Sequence, residues 1–171
     1  PKSFFIVDLA YIEFSGNFNF DEFLDLPNLV FIRTFSKYWG IAGARLGALI
    51  FGENCIFSPL YEVFNSKHLS QQHLALLESL STNKEEIIKI RKKESLNIDK
   101  ISSHIKTKFK VSAIKSGNFI RFDCKNIDSK NELWNYFISL KILARDLSHL
   151  PSYKYSVRLS YRDEAFKNIF L

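Results

Sequence analysis

The strongest constraint on what this chain can fold into is a set of three short apolar runs: FFIVD at 4–8, LVFIRT at 29–34 and LGALIF at 46–51. Each is too brief for a core helix and rich in β-branched or aromatic residues, so each reads as a strand. Their near-continuous apolarity predicts strands buried on both faces, in a parallel or mixed sheet covered by helices. Between the first two runs, Asp21 to Leu26 can form a short helix that Pro27 ends. Leucines at 74, 77 and 80, with Leu76 widening the stripe, predict a helix with one apolar side over residues 70–80.

Near residue 84 the composition changes. Residues 83–108 are rich in Lys, Glu, Ile and Ser, and Ile87, Ile90, Ile98, Ile101 and Ile105 recur at helical intervals. VSAIKSGNFIRFDC then reads as a strand pair. SKNELWNYFISLK reads as a helix capped by Ser129 with Glu132 three residues on. KILARD and YSVRLSY read as strands, and DEAFKNIF as a closing amphipathic helix. The expected class is α/β: residues 1–84 form part of a large sheet domain, and residues 85–171 a small α+β domain.

Seventeen Phe, seven Tyr and two Trp demand burial, while Gly and Pro number six and four, so disorder is a poor reading. The formal charge of +6 admits anionic partners, but much of the basic excess lies in KEEIIKIRKK at 84–93, the pattern of a solvated helix face. That run lacks the interleaved aromatics of a nucleic-acid surface, so no nucleic-acid partner is expected. Cys55 and Cys124 stand apart from one another and from any CxxC or Cys/His array, and His68, His73, His104 and His149 share no ligand spacing. A disulfide scaffold and a metal site are therefore not expected. No apolar run approaches the ~20 residues of a membrane span and no signal segment is visible, so a cytoplasmic protein without membrane attachment is the expectation. The chain opens at Pro1 and contains no Met, as a fragment, a processed chain or an incompletely recorded one would.

The sharpest local feature is Thr34-Phe-Ser-Lys-Tyr-Trp-Gly-Ile-Ala-Gly-Ala-Arg-Leu-Gly47, directly after a predicted strand. Gly40, Gly43 and Gly47 permit tight turns and close backbone approach. Ser36 and Arg45 are suited to donate to phosphate oxygens. Lys37 is either a further phosphate contact or a nucleophile that forms a Schiff base with a carbonyl, and spacing leaves both readings open. The segment is neither a GxxxxGK P-loop nor GxGxxG, which weakens nucleoside-triphosphate and dinucleotide readings.

The run TFSKxxGxAGxRxG resembles the cofactor-lysine signature of fold-type I aminotransferases that use pyridoxal phosphate, specifically the histidinol-phosphate aminotransferase-like branch. VDLAYIEF at 7–14 is similar to that branch's VDEAYxEF, and NSKHLSQQHLALL at 65–77 to its helix start. SGNFIRF, KILARDLS and VRLSYRDEAF follow in family order. The resemblance covers nearly the whole chain and is to the family's C-terminal half, the parent enzyme being a dimer of about twice this length.

The resemblance implies roles residue by residue. Lys37 would carry pyridoxal 5′-phosphate, Asp8 would pair with the pyridine nitrogen, and Tyr11 would lie near the cofactor's 3′-oxygen. Ser36 and Arg45 would hold its phosphate. Arg158 would receive a substrate carboxylate, with Arg145 a second anion receptor and Asn118 on the strand returning toward the active site. Leu9 departs from the family's acidic residue, and Tyr161 with Arg162 stands where many members read Gly-Thr, next to Arg158. The implied activity is transfer of an amino group between an amino donor and an anionic carbonyl substrate, phosphorylated ones included. Decarboxylation of a phosphorylated amino acid on the same scaffold, and a non-catalytic fragment or partner-binding remnant, are the alternatives.

Overall fold

The computed structural model describes residues 3–16, 18–63, 69–161 and 169. It separates into two compact units, Pro1–Ile87 and Ile88–Leu171.

The first unit is built on a mixed three-stranded sheet in the order β1 (Phe5–Asp8), β2 (Leu29–Thr34) and β3 (Gly47–Ile50). β1 runs parallel to β2 with Asp8 opposite Ile32, and β2 runs antiparallel to β3 with Thr34 opposite Gly47. Alternation along the strands puts Phe31 and Arg33 on one face. There Phe18, Phe20 and Phe23 surround the Phe31 ring with centroids 5.7, 5.5 and 6.0 Å away. The opposite face carries Asp8 together with Ile6, Ile32 and Leu49, and these three are 64%, 39% and 37% exposed. Burial on both faces, expected from the apolar runs, is therefore met at Leu29–Phe31 and not along β1, whose Phe5 and Ile6 lie open.

Two short 3-10 turns, Ile12–Phe14 and Asp21–Phe23, connect β1 to β2. The second is shorter than the helix expected up to Leu26, because the chain must turn through Pro27 and enter β2 at Leu29. Further along stand α1 (Leu60–Val63) and α2 (Gln71–Thr82). Ser70 caps α2, its hydroxyl accepting from the His73 amide while the His73 ring accepts from the Ser70 amide.

The helix α3 (Lys84–Phe109) follows directly, and its Ile98, Ile101 and Ile105 are buried in the second unit. Four antiparallel strands complete that unit in the order β4 (Ser112–Ser116), β5 (Phe119–Asp123), β7 (Ser156–Ser160) and β6 (Arg145–Asp146), with α4 (Ile127–Ser139) between β5 and β6. Ile120, Phe122, Val157 and Leu159 form a core with the isoleucines of α3 and with Leu133 and Phe137 of α4.

Two sequence expectations change here. The α4 cap is Asn126, whose side chain accepts from the Ser129 amide, while Ser129 occupies the third helical position and reciprocates. KILARD contributes just Arg145–Asp146 to the sheet: Lys141 adopts a left-handed φ of 57°, and the chain turns back from the end of α4 before it can pair. The expected closing helix over DEAFKNIF falls on residues that, apart from Ile169, lie outside those described, as do Arg162 and His68.

Candidate active site

Asp8 is the last residue of β1, at the strand's C-terminal end, where a parallel strand hands its chain to a loop. One carboxylate oxygen accepts the Ala10 amide at 2.9 Å, which fixes the side chain across the turn. An open hollow of about 320 Å³ begins there, lined by Asp8, Leu9, Ala10, Tyr11, Ile12 and Ser15. Tyr11 lies at the start of the first 3-10 turn and exposes its ring to this hollow.

Lys37 comes from the neighbouring strand. β2 ends at Thr34, whose hydroxyl accepts the Ser36 amide at 3.1 Å and donates to the Leu46 carbonyl. Lys37 follows in a turn closed by the Gly40 amide on the Lys37 carbonyl, with Gly40 at φ 75°, a conformation that suits glycine. The exposed Lys37 ammonium lies 5.6 Å from the centre of the Tyr11 ring, a cation–π distance. Lys37 and Tyr11, far apart in sequence, thus meet because β1 and β2 are adjacent and parallel.

Arg45 closes the glycine-bearing segment in a left-handed conformation, φ 54°, and its exposed guanidinium donates to the Ala42 carbonyl at 3.4 Å. Two residues on, a Cβ at Gly47 would stand 2.8 Å from the Arg33 carbonyl oxygen, so this position excludes a side chain. Ser36 is half-buried next to Lys37.

One contributor was not singled out from the sequence. Glu13, largely buried, accepts through Oε1 from both the Arg33 guanidinium and the Trp39 indole, the latter at 3.4 Å. It stands two residues after Tyr11, and Trp39 two residues after Lys37. Its carboxylate therefore ties together the two segments that carry those groups. Arg33 also covers the Phe20 ring, 5.2 Å from its centre. Opposite charges at 13 and 33 hint at a pair, but their meeting follows from the β1–β2 register, which spacing does not reveal.

The second unit places three arginines in one row across its sheet: Arg158 on β7 is opposite Arg121 of β5 and Arg145 of β6. The row lies on the face away from the helices, since the flanking Val157 and Leu159 are buried. Asp146 does not pair with its neighbour Arg145. It accepts from the buried Lys130 ammonium at 2.7 Å and from the Ser148 amide, and that first bond holds its carboxyl below the usual carboxylate range. Arg145 is left exposed. Asn118 sits in the β4–β5 turn and its carbonyl accepts the Tyr161 amide at 2.8 Å. The Tyr161 hydroxyl accepts from Asn97 of α3 and its ring packs against the core, so this departure from the family pattern is anchored inward.

Both cysteines are free thiols, and burial pushes that of Cys124 up to about 11. No cluster of metal-ligating side chains occurs among the described residues, and no helix among them is long and apolar enough to cross a membrane.

The family model for aminotransferase class I and II matches residues 2–166. The chain belongs to that family. Among relatives of these aminotransferases' class, histidinol-phosphate aminotransferase of Cytophaga hutchinsonii is 31% identical over 166 residues, covering 94% of this chain and 46% of that protein. The enzyme of the same name from Thermoanaerobacter pseudethanolicus is 30% identical over 163 residues, covering 91% and 43%. In structure, the histidinol-phosphate aminotransferase of Sinorhizobium meliloti, solved with pyridoxal-5′-phosphate, superimposes with a TM-score of 0.78 at 19% identity, over 98% of this chain and 47% of that one. This member of the family thus spans about half the length of the curated relatives it matches.

Pyridoxal phosphate is the cofactor this membership indicates. The donor set suits it. A phenol ring and a strand-end carboxylate line the hollow, an exposed primary amine lies 5.6 Å from the centre of that ring, and a hydroxyl stands beside the amine with a guanidinium closing the same loop.

Proposed function

We propose that this chain is the lysine-bearing half of an aminotransferase that moves an amino group between an amino donor and an anionic carbonyl substrate, phosphorylated ones included. The observation that carries the proposal is the Lys37 ammonium standing over the Tyr11 ring beside the hollow that Asp8 opens.

Pyridoxal phosphate, when bound, supplies the electron sink for the electron pair left as a substrate's α-proton departs. Lys37 would be its covalent anchor, and the Lys37 amine would move the proton at the substrate α-carbon. Asp8, as a carboxylate, keeps a proton on the ring nitrogen. Tyr11 serves the cofactor's 3′-oxygen, while Ser36 and Arg45 hold the phosphate through charge-assisted bonds. Arg158 grips a substrate carboxylate bidentately, a match of planar fork to planar anion that lysine cannot make. Arg145, its cross-strand neighbour, extends the receptor toward a second anionic group, and Asn118 borders it. A homodimer is the proposed working form.

In the full-length protein, borohydride reduction is expected to fix pyridoxal phosphate to the peptide carrying Lys37, and Lys37→Ala to abolish both that adduct and the visible absorbance. An unchanged adduct elsewhere in the variant sinks the proposal. Product analysis with anionic ketones and an amino donor should yield new amino acid or amine; carbon dioxide release in its place would replace transfer by decarboxylation.

A further inference from the structure

Arg121 is the one member of the arginine row that the proposed reaction leaves unused. Directly opposed side chains of an antiparallel pair have Cβ atoms ~4.5–5.5 Å apart, and like charges placed there repel. The two guanidinium groups avoid this by leaning in opposite directions. Arg121 runs along its own strand to Asp123, with Nε 2.9 Å from one carboxylate oxygen and Nη2 3.0 Å from the other. Its guanidinium carbon lies 4.4 Å from the centre of the Tyr153 ring. Ser156, opposite Asp123 on β7, donates its hydroxyl to the same carboxylate at 2.6 Å. Arg158 instead leans toward Phe119, two positions the other way along β5, with its guanidinium carbon 5.1 Å from the ring centre. Its Nε is buried without a hydrogen-bond partner among the described residues. The pairing with Asp123 also raises the pKa of Arg121 above its ordinary value.

We infer that Asp123 is a positioning residue that sets the charge selectivity of this face: by binding Arg121 through both oxygens, it withdraws one guanidinium from the row. Of the row, an anion that lands there meets Arg158 and Arg145 and not Arg121. The inference rests on the reading of Arg158 as an anion receptor. It deepens that reading by naming a preference, because two free guanidinium groups suit a carboxylate or a partly screened phosphate, whereas three would trap the more highly charged anion. Asp123 and Arg121 are two residues apart on one strand face, so the pair keeps the same geometry however the anion binds.

The test follows the Nε–H resonances of individual arginines in the isotope-labelled full chain, assigned with Arg121→Gln and Arg158→Gln, as inorganic phosphate or acetate is added. The Arg158 signal should shift with both anions and the Arg121 signal with neither. Asp123→Asn should make the Arg121 signal respond and tighten phosphate by about tenfold, with a much smaller gain for acetate. Asp123→Ser should give the same gain, and Arg121→Gln added to either variant should return phosphate affinity to its starting value. A purely structural Asp123 predicts no gain. A response of Arg121 to phosphate in the unaltered chain overturns the inference. So does unchanged phosphate affinity in both Asp123 variants while Arg158→Gln still abolishes binding. If Arg158→Gln leaves phosphate binding intact, the receptor reading itself falls, and the inference with it.

Discussion

The two units solve the burial problem differently. In the second, Phe122, Phe137, Leu133, Val157 and Ile105 are at 0% exposure, and helix and sheet close on one another. In the first, burial centres on Leu29, Val30, Phe31, Leu46 and Cys55, while Phe4, Phe5 and Ile6 of β1 and its approach stand 60%, 54% and 64% exposed. The unit with Lys37 is thus the one whose sheet is left open, and the unit with the arginine row closes around its own core. The candidate catalytic groups, in turn, are held by turns and polar ties more than by a packed core.

That contrast can be broken by mutation. Phe122→Ala should cost about 3–5 kcal/mol in urea unfolding, by transfer and cavity terms together. Ile6→Ser, removing a side chain of the same apolar class from an open surface, should stay within about 0.5 kcal/mol. Similar losses for the two would erase the distinction.

Of intermediate size is the polar tie under the lysine loop. Glu13→Gln should lower the stability of that region by about 1–2 kcal/mol, since a charge-assisted bond becomes a neutral one. Trp39 fluorescence in a Trp134→Phe background reports it, and an unshifted transition would show the loop to be held by other contacts.

The smallest effect belongs to pH and the second unit. Asp146 titrates below its unfolded value of about 3.9 because Lys130 bonds its carboxylate. Its contribution is therefore present above about pH 4 and is lost as pH falls through the lowered folded value. Nearly half-exposed, Asp146 is screened by solvent, so the effect should be under about 1 kcal/mol. Asp146→Asn should flatten that part of the stability–pH curve; an unaltered slope would assign the acid sensitivity to other carboxylates.

Local pattern made the skeleton legible. LVFIRT corresponds residue for residue to β2, FFIVD misses β1 by one residue, and the helix expected over residues 70–80 is α2, Gln71–Thr82. Reading failed where two local signals competed. Asn126-x-x-Ser129 and Ser129-x-x-Glu132 both resemble a capping box, and the earlier one begins the helix. KILARD has strand-like composition, yet its first residues are consumed by the turn out of α4. Long-range chemistry was the least legible. The Lys37–Tyr11 approach and the Glu13 tie depend on the parallel pairing of β1 with β2, a tertiary fact with no local signature. The Arg121–Asp123 pair could have been found, since residues two apart on a strand share a face.

The open strand has one further consequence. FFIVD combines strong β-propensity with a single charge, at the edge of the described sheet, which is how strands recruit strands from other molecules. Asp8 supplies that strand's one charge, the kind of residue that guards an apolar strand against aggregation, and is also a candidate cofactor acid. A neutral replacement made to test its chemistry also removes that guard, so lost activity in such a variant is informative just when the protein stays monodisperse.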